Sequence, residues 1–315
     1  MAGVFEIADG FIDTVAKHHP QSATHMGVPG FDHLLTDYSP DAAEAFNADV
    51  RSTVREMESA VPTNERERLC RDTFLDEANL YVEQFESREH LRDLNVMFSP
   101  IQSVRSIFDL MPQDSVEAWE NIASRMEKIG GSLAGYRQTL DIGRAEGLVT
   151  SERQVKGTAE QCEVWAGGGD TSPFFDSMVN AFAASDISDN SLSSRIEDAA
   201  ASATGAYEQM GDYLRNSYLP DASPIDGVGR DRYALAAKGY LGSVIDLEET
   251  YDWGWEQLSW VRSEMTKTAK LIKSGASIGE AVEILETDPQ KMIKGEDEFR
   301  QWMQDLQDKT IEEMD

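Results

Sequence analysis

A chain of 315 residues, 40% of them apolar, is long enough to bury a large core, as one helical array or as about two domains. Its 58 Asp and Glu outweigh 28 Lys and Arg, and the resulting net charge of −30 repels nucleic-acid backbones and anionic membranes. No run of 18 apolar residues occurs, which excludes a spanning helix.

The charge reads first as the surface of a protein from a host with an acidic proteome, and only second as bait for a basic substrate. Its self-repulsion has a measurable consequence. The melting temperature should rise from low salt to several hundred millimolar salt as counter-ions screen the carboxylates; a flat or falling response refutes this. The N-terminus, Met1 to Asp9, has neither the basic nor the apolar region of a signal peptide. Cys70 and Cys162 are too few for a disulfide framework and read as buried thiols of a cytoplasmic protein.

In chain order, Val4, Ala8, Phe11, Ile12 and Val15 mark a first amphipathic helix. His18 to Tyr38, with Pro20, Gly27, Pro29 and Gly30, reads as an ordered loop. Ser39-Pro40 caps a helix carrying Phe46, Val50, Val54 and Met57. A long helix follows over about 65–91, burying Phe74, Ala78, Tyr81 and Phe85, and Pro100 to Pro112 holds a short helix at best. The cleanest stripe is Trp119, Ile122, Met126, Ile129, Leu133, Tyr136 and Leu140, whose alternating spacing of three and four suits antiparallel helix packing.

Further helices are expected near 152–166, 173–184, 191–218, 230–241, 246–274, 277–286 and 296–314. Asp114 with Glu117, Ser151 with Gln154, Asp246 with Glu249 and Ser277 with Glu280 have capping-box spacing. Gly167-Gly168-Gly169 is a flexible stop, and Leu219 to Gly229 is the best internal boundary. The expectation is an all-α array of long antiparallel helices joined by ordered Pro/Gly loops, with regions 1–220 and 221–315.

Chemistry is harder to find. His18, His19, His25, His33 and His90 form no H-E-x-x-H pair. The first four, with Asp32 and Asp37 nearby, match no zinc spacing and read as solvated loop histidines, so no cofactor is expected in the segment. There is no G-x-S-x-G elbow, and the glycine triplet lacks the lysine of a phosphate loop. Glu248-Glu249 reads as helix N-terminal charge.

Two features stand out. Tyr233, Tyr240, Tyr251, Trp253, Trp255 and Trp260 lie close in sequence to Arg230, Arg232 and Lys238. The bland reading is an aromatic core, with Arg230 and Arg232 paired to Asp226, Asp231 or Glu248. The functional reading makes Arg230, Arg232, Tyr233, Tyr240 and Trp255 one wall of a cleft, offering donors on an apolar surface. The other feature, Ser99 to Arg105, is a structured connection placed to line a groove or simply to pack.

Several strings carry a family resemblance: Ala23 to Asp32, Glu89-His90-Leu91-Arg92-Asp93-Leu94-Asn95, Ser99-Pro100-Ile101-Gln102, Phe108 to Pro112, Gly229-Arg230-Asp231-Arg232-Tyr233 and Asp246 to Trp255. Together and in this order they resemble the bacterial DUF885 family, its actinobacterial branch above all. The resemblance implies a zinc-dependent peptidase related to the helical gluzincins. Its metal ligands lie on an H-E-x-x-P-G-H-H type helix of the C-terminal half, so none is expected on a residue of this sequence. The chain is then the non-catalytic N-terminal helical portion, with the C-terminal half of the same protein and a peptide as partners and zinc in the full-length form. The alternative is a helical scaffold or peptide-binding module without enzymatic activity.

Overall fold

In the computed structural model, which describes residues 2–314, helices account for 73% of the protein and no strand occurs among the described residues. The fold is all-α. It divides into two compact units, Met1–Tyr240 and Leu241–Asp315.

The first unit opens with α1 (Val4–His18) and α2 (Pro20–Met26). The second of these corrects the expected loop: Pro20 occupies the first turn, where its missing N–H costs nothing, and Gly27 closes the helix in the left-handed region at φ 72°. Helices α3 (Pro40–Ser59) and α4 (Glu65–Glu86) pack on α1. On α3 the expected stripe Phe46, Val50, Val54 and Met57 is buried throughout. On α4 only Ala78 is fully buried, while Phe74, Tyr81 and Phe85 stay half-buried. Phe11, Phe46, Phe74 and Tyr81 form an edge-to-face aromatic cluster between the three helices.

The main core is built by α5 (Pro100–Ser106), α6 (Val116–Ala145), α7 (Glu152–Trp165), α8 (Asp176–Ala183) and α9 (Asn190–Tyr213). Helix α6 is its axis. The whole stripe from Trp119 to Leu140 is at most 3% exposed. A second, polar stripe is buried as well: Arg125, Ser132 and Thr139, seven residues apart, face the extended segment 31–39. Arg125 Nε donates to the Leu34 carbonyl (2.9 Å), Ser132 Oγ to that of Thr36 (2.8 Å) and Thr139 Oγ1 to that of Tyr38 (2.8 Å). An extended segment with no strand partner must find other donors for its carbonyls, and this helix face supplies them. The approach is close enough that a Cβ on Gly135 would sit 2.9 Å from the Ser39 nitrogen.

The expected helix over 191–218 ends early as an α-helix, at Tyr213, and continues as one π-turn, Leu214–Tyr218. The proline- and glycine-rich stretch after it does not separate the units. Ser223 N donates to the Thr150 carbonyl (2.9 Å) and Glu152 N to that of Ser223 (2.8 Å). The stretch is thereby tied to the start of α7, and it leads into α10 (Arg230–Leu241). The division between units falls twenty residues beyond the composition break at 220.

The second unit holds α11 (Leu247–Ile272), α12 (Ile278–Thr287) and α13 (Glu296–Met314). Only Ala269, Ala276 and Ala281 are buried among its described apolar residues. Of the four capping-box spacings, Ser277 with Glu280 makes the reciprocal pair in full. Asp246 accepts from Glu248 N and Glu249 N. Ser115, not Asp114, caps α6. Gln154 turns away from Ser151 and accepts from Val96 N at 3.0 Å: a long-range backbone donor with no other partner outcompetes a local cap. Both cysteines are free thiols, Cys162 buried and Cys70 half-buried; burial pushes the Cys162 thiol up to about 12.

Candidate functional site

A concavity of about 430 Å³ in the first unit is lined by α4 (Tyr81, Gln84, Phe85), by Glu89, His90 and Asp93 of the turn that follows it, and by Val228, Arg232, Leu235 and Ala236. Distant contacts hold the turn. Arg88 adopts φ 61°, the one left-handed conformation at a non-glycine among the described residues, a strain of about 1–3 kcal/mol that the surroundings must sustain. They do so on three sides. Arg88 Nη2 bonds Glu146 at 2.8 Å. The Leu91 carbonyl lies so close to α6 that a Cβ on Gly143 would be 2.2 Å from it. The hydroxyl of fully buried Tyr136 donates to the Asp93 carbonyl.

Downstream, Gln102 Nε2 donates to the Asn95 carbonyl (3.0 Å) and to Gln161 Oε1 (2.7 Å), and Gln161 Nε2 donates to the Val96 carbonyl (2.9 Å). The Ser99 to Arg105 connection therefore clamps the cavity's rear support and does not itself line the cavity. The turn is held in advance of any ligand.

Charges inside the cavity are unequal in their pairing. Glu89 receives Arg232 Nε at 2.6 Å and also the Arg92 guanidinium. Asp93 faces the cavity with one side-chain hydrogen bond among the described residues, from Asn95 Nδ2 at 3.4 Å. Although it is open on that side, desolvation by the surrounding protein raises its carboxyl to about 6, helped by Glu89 and opposed by Arg232. The His90 ring stacks on Phe85 at 4.2 Å and 4°, and burial lowers its pKa, keeping it neutral.

The raised Asp93 value fixes a sign. A carboxyl whose folded pKa lies above its ordinary 3.8 favours the protonated protein, so its stabilisation is present below about pH 4 and lost as pH rises through about 6. Asp93→Asn should therefore raise the melting temperature at about pH 8 and change it little near pH 4, with solvent in the cavity tempering the size of the effect. A difference that stays constant across this range would contradict the assignment.

Of the sequence-nominated residues, Arg232 lines the cavity. Arg230 opens α10 without lining it. Tyr233 is 55% and Tyr240 92% exposed, and neither lines it. Trp255 belongs to the other unit, on α11, its ring edge-on to Tyr251 at 6.2 Å. The aromatic-core reading fails among the described residues, since Tyr251, Trp253, Trp255 and Trp260 are all more than half exposed. The bland pairings fail for Arg232, which takes Glu89, and for Asp226, which takes Arg153 at 3.0 Å. Glu89, His90 and Asp93 were missed as site residues, although the string Glu89 to Asn95 that contains them is visible in the sequence.

The histidines near the N-terminus diverge. His18 Nε2 bonds Asp49 at 2.8 Å, and His25 Nδ1 donates to the Gln21 carbonyl at 2.8 Å, both from helices and not from a loop. His19 packs edge-on to Phe46 at 4.5 Å and is driven down to about 4 by burial. Among the described residues no three His, Cys, Asp or Glu converge on a point that could hold a metal ion, so this donor set does not fit zinc.

A family model described as a bacterial protein of unknown function, DUF885, matches residues 20–315. The chain belongs to the DUF885 family. Comparison with curated proteins gives no match. A solved structure described as "the putative lipoprotein from Colwellia psychrerythraea" is similar over 99% of this chain, with a TM-score of 0.79 and 13% identity. At that identity the likeness shows the fold, and this chain spans 59% of that protein's length. No described helix of this DUF885 chain is long and apolar enough to cross a membrane. The family string Ala23 to Asp32 lies around buried Arg125, whose Nη2 donates to Thr24 Oγ1 at 2.6 Å and whose charge Asp32 opposes at 3.8 Å. Within that string Thr24 and Asp32 attend the buried guanidinium, whereas Glu89, His90, Asp93 and Arg232 line the cavity.

Proposed function

We propose that this chain is the non-catalytic helical portion of a longer DUF885 protein that hydrolyses peptides with a bound metal, and that the cavity of Arg232, Glu89 and Asp93 receives substrate. The observation that carries the first part is the second unit's lack of a core. Three buried alanines cannot hold together a unit that leaves Trp253, Trp260, Phe299, Trp302 and Leu306 open to water. Further polypeptide of the same protein covers these faces and brings the metal ligands, which the described residues do not supply. Arg230, Tyr233 and Tyr240 contribute outside the cavity, as donors and rings that a bound polypeptide covers.

The test compares residues 1–315 with a form carrying sequence beyond residue 315, on a peptide library with and without zinc. Hydrolysis is expected only from the longer form, and Arg232→Ala should lower it at least roughly tenfold without moving the melting temperature. Hydrolysis by 1–315 alone, or an inert zinc-loaded longer form, overturns the reading. The second outcome favours the other reading, a peptide-binding module, which the completeness of the cavity within one unit supports: such a module binds peptides and cleaves none.

A further inference from the structure

The walls of the cavity differ in what charge they leave unmet. Glu89 is engaged by two guanidinium groups, and Arg232 commits its Nε to Glu89. Asp93 has no ion pair among the described residues and meets the open space beside Arg232. Summed over the lining, Glu89 and Asp93 against Arg232 leave one negative charge.

Aromatic surface stands in the same space: Tyr81, Phe85 and the neutral His90 stacked on it. Ring faces attract cations, most strongly where water is partly excluded. Val228, Leu235 and Ala236 supply apolar wall, and about 430 Å³ suits a ligand of one or two amino-acid residues. An anion entering here meets two carboxylates, and a metal ion finds no set of three donors.

We infer that this cavity binds an organic ammonium group at Asp93, with an apolar body along Val228 and Leu235 and a neutral carbonyl within reach of the Arg232 guanidinium. The inference rests on reading the cavity as a ligand site and adds which charge it selects. A peptide offers this chemistry twice, as its α-ammonium end and as a lysine side chain.

Titration calorimetry on the whole chain at neutral pH separates the cases. The probes are 2-phenylethylammonium, its carboxylate counterpart 3-phenylpropanoate and neutral 2-phenylethanol. Glycylglycinamide against Nα-acetyl-lysinamide then distinguishes the two peptide sources. The ammonium probe should bind at least roughly tenfold more tightly than the carboxylate, and Asp93→Asn should remove that preference. The selectivity of the unaltered protein decides the matter even if the variant misfolds. Stronger binding of the carboxylate overturns the ammonium inference and leaves the cavity a ligand site. Absence of heat with every probe overturns both. Unchanged ammonium affinity in a folded Asp93→Asn protein places the site elsewhere and overturns the inference.

Discussion

Arg125→Ala should lower the unfolding free energy by about 3–5 kcal/mol, the scale seen when one member of a buried polar assembly is deleted. The side chain is completely buried. Its Nε serves the Leu34 carbonyl at 2.9 Å, and its Nη2 serves Thr24 Oγ1 at 2.6 Å and the Pro20 carbonyl at 3.3 Å. No carboxylate lies within hydrogen-bonding distance; Asp32, at 3.8 Å, is reached through Thr24, whose hydroxyl donates to it at 2.6 Å. Deletion takes the side-chain donor from the Leu34 carbonyl and one donor each from Thr24 Oγ1 and the Pro20 carbonyl, which Thr24 still serves at 3.3 Å; each lost bond to a charged donor costs about 1–3 kcal/mol, not additively. Arg125→Met, which restores most of the volume, should recover only a minor part of the loss. That comparison separates hydrogen bonding from packing. Urea unfolding of the two variants supplies the measurement, and a loss below about 1 kcal/mol for Arg125→Ala would mean that the 31–38 segment is secured without it.

Ile122→Ala should cost about 2–5 kcal/mol, the range for large-to-small changes in a core that collapses only partly around the cavity left behind. Ile122 is completely buried in the main cluster, with Trp119 and Met126 on the same stripe of α6. Val61→Ala, at a site 78% exposed, should stay within about 0.5 kcal/mol and serves as the reference. An equally small effect at Ile122 would show that α6 does not carry the core.

The helices and their buried stripes were legible because amphipathic periodicity is local: Trp119 to Leu140 needs only its own spacing to declare a core-facing side. The same holds for Phe46 to Met57 on α3. Of the cavity lining, Arg232 was legible and its partners were hidden. Glu89 and Asp93 belong to an acidic chain in which no local pattern distinguishes one carboxylate from another. What singles them out is distant in sequence: Arg232 crossing to Glu89 at 2.6 Å, the Tyr136 hydroxyl holding the Asp93 carbonyl, and Gly143 giving way to Leu91. Likewise Arg125, Ser132 and Thr139 recur every seven residues in plain view, but the polar stripe has meaning only once the carbonyls of Leu34, Thr36 and Tyr38 lie along it. The sequence by itself determined the helical class and most helix spans, because those depend on neighbours within one or two turns. Tertiary structure alone decided which carboxylates face the cavity and which arginine is buried, because desolvation and pairing depend on groups that the chain brings together from far apart.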